Sequence, residues 1–481
     1  MKFISICSMF LSMMLWAVSG FAYPLDGEGF SGIARVEGYR LANEGKVGGP
    51  RQPAGALLGL DKVDLRLSDR PNMEIPAADK EFTSKIVRLL GREANRYGIA
   101  VLDLSNPDEP VYAEHRGNVD HNPGSVGKIM VVIGLFQALA DVYPDNTEAR
   151  LNILRTAMVT ADEFIRSDEH KVPFWNPAKK QLSHRILRIG DRASLYTYLD
   201  WMLSASSNAA ASMVIREILL IRHFGKRYPV SEAEIRAFFR QTPKQTLSDL
   251  LVRGLRTPLE QHGFDTEQIR QGNFFTARGK QIVPGRSNSR ANARSLMQFL
   301  MKLEQGKIVD TFSSREIKRL LYMTQRRIRY ASSPALSNAA VYFKSGSLYK
   351  CRPEPGFSCG KYKGNVRNLM NSVAIVEWPA ETRQLHYMVV IMSDVLRKNS
   401  AVVHQTLGTR IQRLLESSHA SSDHSSPQPL NASPNGPPSD GSPSEQPLNL
   451  PSDGSLSDPS SDDSPSDPSS DDSLSDQPSD D

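Results

Sequence analysis

Apolar residues first recur at helical spacing at Phe82, Ile86, Leu89, Leu90 and Ala94, which predicts a helix from Lys80 to about Arg96. Two apolar runs follow, residues 98–104 and 110–115, on either side of Ser105-Asn106-Pro107-Asp108. Those four residues are turn formers, so the stretch predicts a hairpin. It leads to Pro123-Gly124-Ser125-Val126-Gly127-Lys128 and then to the apolar run 129–135. From there to about Arg327 the helical period dominates, with breaks expected at Pro173, Pro177, Gly190, Pro229, Pro243 and Pro284. Strand patterns return at residues 341–349, 371–378 and 385–394, the last two joined by the short link 379–383, which suits an antiparallel hairpin. Val403, Leu407, Ile411, Leu414 and Leu415 then predict a closing amphipathic helix. This order implies an α+β fold of the α/β/α sandwich kind: one antiparallel sheet assembled from distant parts of the chain, covered by the terminal helices, with an all-helical region inserted alongside.

The ends of the chain have a different character. Met1 and Lys2 precede an apolar stretch, residues 3–18, closed by Gly20-Phe21-Ala22, the pattern of a secretory leader over residues 1–22. Cys7 lies within it and lacks the small-residue context of a lipid-anchored cysteine. The leader is short for a membrane span, and no later run approaches the roughly 20 apolar residues such a helix needs, so no stable membrane insertion is expected. Residues 23–79 are rich in Gly and Pro, with strand-like patterns only at 32–41 and 62–67. They read as an amino-terminal extension packed on the main domain, residues 80–417.

Charge separates the remaining segment, 418–481. From Ser421 onward there are twelve Asp, one Glu and no Lys or Arg, so this part carries −13 while the rest of a chain of net charge +5 carries +18. It is rich in Ser and Pro and repeats SDPSSDDS at Ser457 and Ser466. A segment with so little apolar surface is expected to be disordered. The repeat lacks the glycines of calcium-binding rolls, so it reads as a solvated tail. The basic body suits anionic envelope polymers or its own tail, and an exported chain is a poor candidate for nucleic acid. Export leaves two cysteines, Cys351 and Cys359, an even count that predicts one local disulfide. Zinc is the weaker reading: the ten histidines are scattered singly, and neither a metal nor a cofactor is expected.

Three short motifs carry candidate chemistry. Ser-x-x-Lys occurs at Ser125, Ser347 and Ser358, but only Ser125 opens a long apolar helix, where hydroxyl and amine share one face. Ser-x-Asn occurs at Ser206-Ser207-Asn208, in a helical neighbourhood, and again at Ser433 in the tail. Lys-Ser-Gly occurs once, at Lys344-Ser345-Gly346, in the first late strand. Each motif is weak alone; the three in this order, on these elements, in an exported chain, are informative.

With those motifs the chain resembles the penicillin-recognising serine hydrolases, most closely the class A β-lactamase branch, over roughly residues 80–416. The resemblance implies a five-stranded antiparallel sheet with the site in the cleft beside a helical region. It implies Ser125 as nucleophile, Lys128 as its activator, Ser206 as proton donor to the departing nitrogen, and Asn208 as a positioning group. Lys344, Ser345 and Gly346 would bind a substrate carboxylate, and the backbone N–H groups of Ser125 and Ser347 would form an oxyanion hole. Two departures stand out. The middle motif has Ser207 where the family usually has Asp. The glutamate that class A enzymes use for deacylation, in Glu-x-x-x-Asn, has no counterpart in the expected loop, residues 272–292, which contains no Asp or Glu. Glu232, Glu234 and Glu260 lie in helical pattern and read as a solvated face. The expected activity is therefore that of an exported, monomeric hydrolase, periplasmic or extracellular, forming an acyl-enzyme with a β-lactam or related amide. Two alternatives stay open: a D,D-peptidase-like acyltransferase on peptidoglycan-derived peptides, and a binding or sensing module that keeps the fold without turnover.

Overall fold

In the computed structural model the described residues are Gly29 and 31–423. The expected leader, and the expected tail from residue 424 onward, lie outside them; residues 418–423, expected to be disordered, belong to the closing helix Ser400–Asp423. Helix α1, Arg35–Asn43, and α2, Lys80–Leu90, precede the hairpin of β1, Tyr97–Asp103, and β2, Val111–His115. Then come α3, Lys128–Val142, α4, Thr147–Thr156, and four short strands: β3, Met158–Thr160; β4, Lys171–Asn176; β5, Gln181–Ile186; β6, Arg192–Ser194. Helices α5, Leu195–Leu203, α6, Asn208–Phe224, α7, Glu232–Gln241, α8, Lys244–Leu255, α9, Thr257–Gln261, and α10, Ala277–Ile282, follow. The chain closes with α11, Ala293–Glu304, α12, Thr311–Tyr322, strands β7, Ala340–Lys350, β8, Arg367–Trp378, and β9, Leu385–Asp394, and α13, Ser400–Asp423.

The principal sheet has the order β2-β1-β9-β8-β7, every pair antiparallel. Because side chains alternate across a strand, each face has its own core. Ile99, Val101, Val341, Phe343, Val389 and Ile391 pack under α2 and α13, against Phe82, Ile86, Leu90, Leu407, Ile411 and Leu415. Ala100, Leu102, Tyr342, Ile375, Met388 and Val390 face the helical region, whose centre is α3. The 19-residue helical stretch Gly124–Val142 is long and apolar enough to cross a membrane, contrary to the expectation that no such run follows the leader. Its first nine α3 residues are all buried inside the protein, which accounts for a helix apolar on every side.

Three expectations are corrected. Residues 32–41 form no strand: α1 buries Val36, Tyr39 and Ala42, three residues apart, and Arg35 forms a buried ion pair with Asp200 on α5. Residues 62–67 form no strand either, following a single 3-10 turn at Leu60–Lys62. The inserted region is not all helical, because β4 and β5 make a hairpin and β3 pairs with β6. Pro173, expected to break a helix, sits inside β4, and its carbonyl accepts from Trp201 Nε1 at 3.0 Å. The helix expected from Lys80 to about Arg96 changes type within that span: α2 ends at Leu90, where Gly91 takes a left-handed φ of 63°, and a 3-10 helix continues over Gly91–Arg96.

Candidate active site

Ser125 lies in a 3-10 turn, Gly124–Gly127, that runs into α3. Lys128, the first residue of α3, is fully buried, and its Nζ makes three hydrogen bonds: to Ser125 Oγ at 2.8 Å, to Ser206 O at 2.7 Å and to Asn208 Oδ1 at 2.7 Å. Burial pulls the Lys128 ammonium down to about 7, so near neutrality a large fraction is amine. Of the three partners, Ser206 O and Asn208 Oδ1 can only accept. The two N–H bonds of a neutral amine go to those carbonyls, and its lone pair is left facing the Ser125 hydroxyl.

Ser206 occupies the break between α5 and α6, with a left-handed φ of 60°. That conformation is uncommon for a residue other than glycine, asparagine or aspartate. It turns the carbonyl of Ser206 toward Lys128 and its hydroxyl toward Lys344 Nζ, 2.8 Å away. Ser207 caps α6, its hydroxyl accepting from Ala210 N at 3.1 Å. The same hydroxyl donates to Asp168 Oδ2 at 2.8 Å, so an acid meets this motif from the inserted segment.

Lys344, Ser345, Gly346 and Ser347 lie on β7, an edge strand whose outer side faces the Ser125 turn. A Cβ on Gly346 would stand 2.3 Å from Pro123 O and 2.7 Å from Ser125 N. Only glycine allows that approach, which brings the backbone N–H groups of Ser125 and Ser347 to neighbouring positions. Lys344 is buried, and its burial, together with Lys128 and Arg329, holds its ammonium well below the ordinary value. The motif residues named above thus all meet in one cleft between β7 and the helical region. Cys351 and Cys359 form a disulfide in the loop that follows β7.

Two groups beside the site were not apparent from the sequence. Arg329, left-handed at φ 53°, donates to Ser345 Oγ at 2.8 Å and Ser347 Oγ at 3.0 Å and stacks on Tyr362 at 4.7 Å. Among the described residues, neither Arg329 nor Lys344 pairs with a carboxylate. No spacing rule marks Arg329, because a short 3-10 turn carries it to β7. Gln271 lies one residue before the loop in which an acid was expected. A Cβ on Gly127 would stand 2.2 Å from its Oε1, which is buried without a hydrogen-bond partner. Four residues on, the Phe275 ring lies 4.7 Å from Lys128 Nζ. The acids at Glu234 and Glu260 are engaged elsewhere, in the α7 capping box and an ion pair with Arg256.

Residues 81–404 match the model of the beta-lactamase enzyme family. No curated protein matches the chain. Among solved structures it is similar to PBP-A, seen also as a point mutant in an acyl-enzyme complex with penicillin G, at 14% identity and TM-score 0.43, covering 72% of this chain and 100% of that one. A beta-lactamase from Chitinophaga pinensis is 16% identical with TM-score 0.40, over 71% of this chain and 98% of its own. One from Sphaerobacter thermophilus is 14% identical with TM-score 0.44, over 69% and 95%.

Proposed function

The chain belongs to the beta-lactamase enzyme family, and on that premise we propose that it is an exported serine hydrolase that forms an acyl-enzyme through Ser125 with β-lactam or related amide substrates. The observation that carries this reading is the placement of Lys128 Nζ, 2.8 Å from Ser125 Oγ and 2.7 Å from two carbonyl acceptors, so that the neutral amine spends its N–H bonds on the carbonyls and turns its lone pair to the Ser125 hydroxyl. Lys128 takes the hydroxyl proton as Ser125 Oγ bonds to the amide carbon, and the N–H groups of Ser125 and Ser347 receive the oxyanion. The C–N bond then breaks as Ser206 Oγ passes a proton to the nitrogen and takes one from Lys344 Nζ, 2.8 Å away, while the proton taken from Ser125 stays on Lys128. Arg329, and Lys344, whose ammonium burial disfavours, lie at β7 without a carboxylate in contact and suit the substrate's own carboxylate, which would stabilise that ammonium.

Release of the acyl group is a separate matter. Gln271 offers an amide carbonyl beside Gly127, which can orient a water but cannot take its proton at neutral pH. That observation favours a long-lived acyl-enzyme, as in the alternative reading of a D,D-peptidase-like acyltransferase on peptidoglycan-derived peptides. A fluorescent penicillin followed by mass on the intact protein separates the readings. Rapid labelling lost within seconds indicates a lactamase; an adduct that persists indicates a penicillin-binding acyltransferase. If Ser125→Ala labels as well as wild type, Ser125 is not the nucleophile; if no adduct forms at all, covalent chemistry through Ser125 is wrong and the non-catalytic binding module stands.

A further inference from the structure

The middle motif, Ser206-Ser207-Asn208, carries no acid of its own, yet a carboxylate sits against it. Asp168 belongs to the inserted segment between α4 and β4, and its side chain is 2% exposed. Its Oδ2 accepts from Ser207 Oγ at 2.8 Å and from Ala209 N at 2.8 Å, and its Oδ1 from the His170 ring at 2.6 Å. The carboxylate therefore rests on the first turn of α6, a 17-residue helix whose first residue is Asn208 and whose free N–H groups favour an anion there. Ser207 is fully used, donating to Asp168 and accepting from Ala210 N.

We propose that Asp168 is a positioning residue for the acylation site, an acid supplied from 39 residues upstream that pins the Ser206–Asn208 turn and sets a negative charge on the same turn that holds Lys128 Nζ. The first effect is geometric: Ser206 must hold a left-handed φ for its carbonyl and hydroxyl to reach two different lysines, a conformation that persists only where its surroundings enforce it. The second is electrostatic. Attack by Ser125 turns the buried Lys128 amine into an ammonium, and a nearby carboxylate lowers the cost of that charge. Asp168 draws the Lys128 value upward against burial. Burial also opposes the charge on Asp168, but the His170 ring, the Ala209 N–H and the Ser207 hydroxyl hold its carboxyl below the usual range. The other groups around Lys128 are the Lys344 amino group on β7, the neutral Asn208 on α6 and the Phe275 ring.

This inference rests on the acyl-enzyme reading, so its test includes a measurement that needs no substrate. In the full chain carrying 13Cε-labelled lysine, with the Lys128 resonance assigned by its loss in Lys128→Arg, the ammonium titration is followed by NMR. Asp168→Asn moves the Lys128 midpoint to lower pH and slows labelling by fluorescent penicillin about tenfold or more, the effect of losing a charge-assisted hydrogen bond. Adding Ser207→Asp to that variant returns a carboxylate to the turn and restores both quantities, which a purely structural cap would not do for the titration. Should Asp168→Asn not fold, Ser207→Asp in the intact chain sets a second carboxylate there and raises the midpoint. An unchanged Lys128 titration in Asp168→Asn, or no restoration by the second change, overturns the proposal. A shifted midpoint in a protein whose wild type takes up no penicillin overturns the acyl-enzyme reading and retains Asp168 as the group that sets the charge of Lys128.

Discussion

In the proposed acylation the Lys128 ammonium sheds its proton before Ser125 loses one, which makes pH the first control on this site. Lys128 is held at about 7, below its ordinary value, so the active amine is present above that pH and lost below it. The second-order rate of penicillin labelling, measured from about pH 5 to 9, should rise through pH 7 and level off above it. On the proposed reading, release depends on the side of the Ser125 turn where Gln271 lies beside Gly127. Gln271→Glu puts a carboxylate where a carbonyl now lies unpartnered, and the adduct lifetime by intact mass should fall by about a hundredfold, the usual scale of a general base, with the rate of labelling little changed. Ser125, Lys128, Ser206 and Asn208 were legible as candidates because serine, lysine and asparagine at fixed short spacings sit on recognisable elements. Asp168, Gln271 and Arg329 were not, since each reaches the cleft across tertiary contacts, from 39, 144 and 16 residues away from the group it touches.

Strands and helices owe their stability here to charges as well as to apolar packing. Glu304 on α11, Glu377 on β8 and His386 on β9 bring their donor atoms within 4.8 Å of one another, but the space among them is filled by the Lys318 ammonium from α12, 2.8 Å from Glu377, with Arg66 also on Glu377. This is a balanced ionic centre rather than a vacant ligand set. Lys318→Met leaves two buried carboxylates without their ammonium and should cost about 3–5 kcal/mol in urea unfolding. Acid tests the same elements. Burial would raise the Glu377 carboxyl, but Lys318 and Arg66 override it and hold it at about 2, below the unfolded value of 4.5. Burial and Arg329 push His404, which links Ser372 and Ser393 across β8 and β9, down to about 3 from 6.5. Both folded values lie below the unfolded ones, so the stability they contribute is complete above about pH 6.5 and declines as pH falls toward 3 and 2. Urea midpoints at pH 7 and pH 4 should differ in that direction. The sheet itself was readable from period-2 alternation and the turn at Ser105–Asp108. The hairpin of β4 and β5 was not, because Pro173 and Pro177 read as helix breaks and its burial depends on α1 and Trp201.

At the scale of the whole molecule, the described residues between 31 and 79 contribute to the core rather than adding to it from outside. Ile33, Val36, Leu60, Val63 and Leu67 belong to the same apolar cluster as α3, and Arg35 answers the charge of Asp200 beneath α5. Arg35→Ala strands that buried carboxylate and should lower unfolding stability by about 3–5 kcal/mol, read as a shift in urea midpoint without loss of slope. The Gly and Pro content of this stretch hid its helix, since the partners that order it lie far along the chain. The same separation governs the sheet. Strand β1 pairs with β2 on one side, but its other edge belongs to β9, which begins about 280 residues later, some tens of seconds of synthesis at ordinary rates. Until β9 arrives, the first hairpin emerges as an apolar ribbon with an unpaired edge, and the growing chain depends on holdase chaperones or on delayed collapse to keep that edge from meeting another copy.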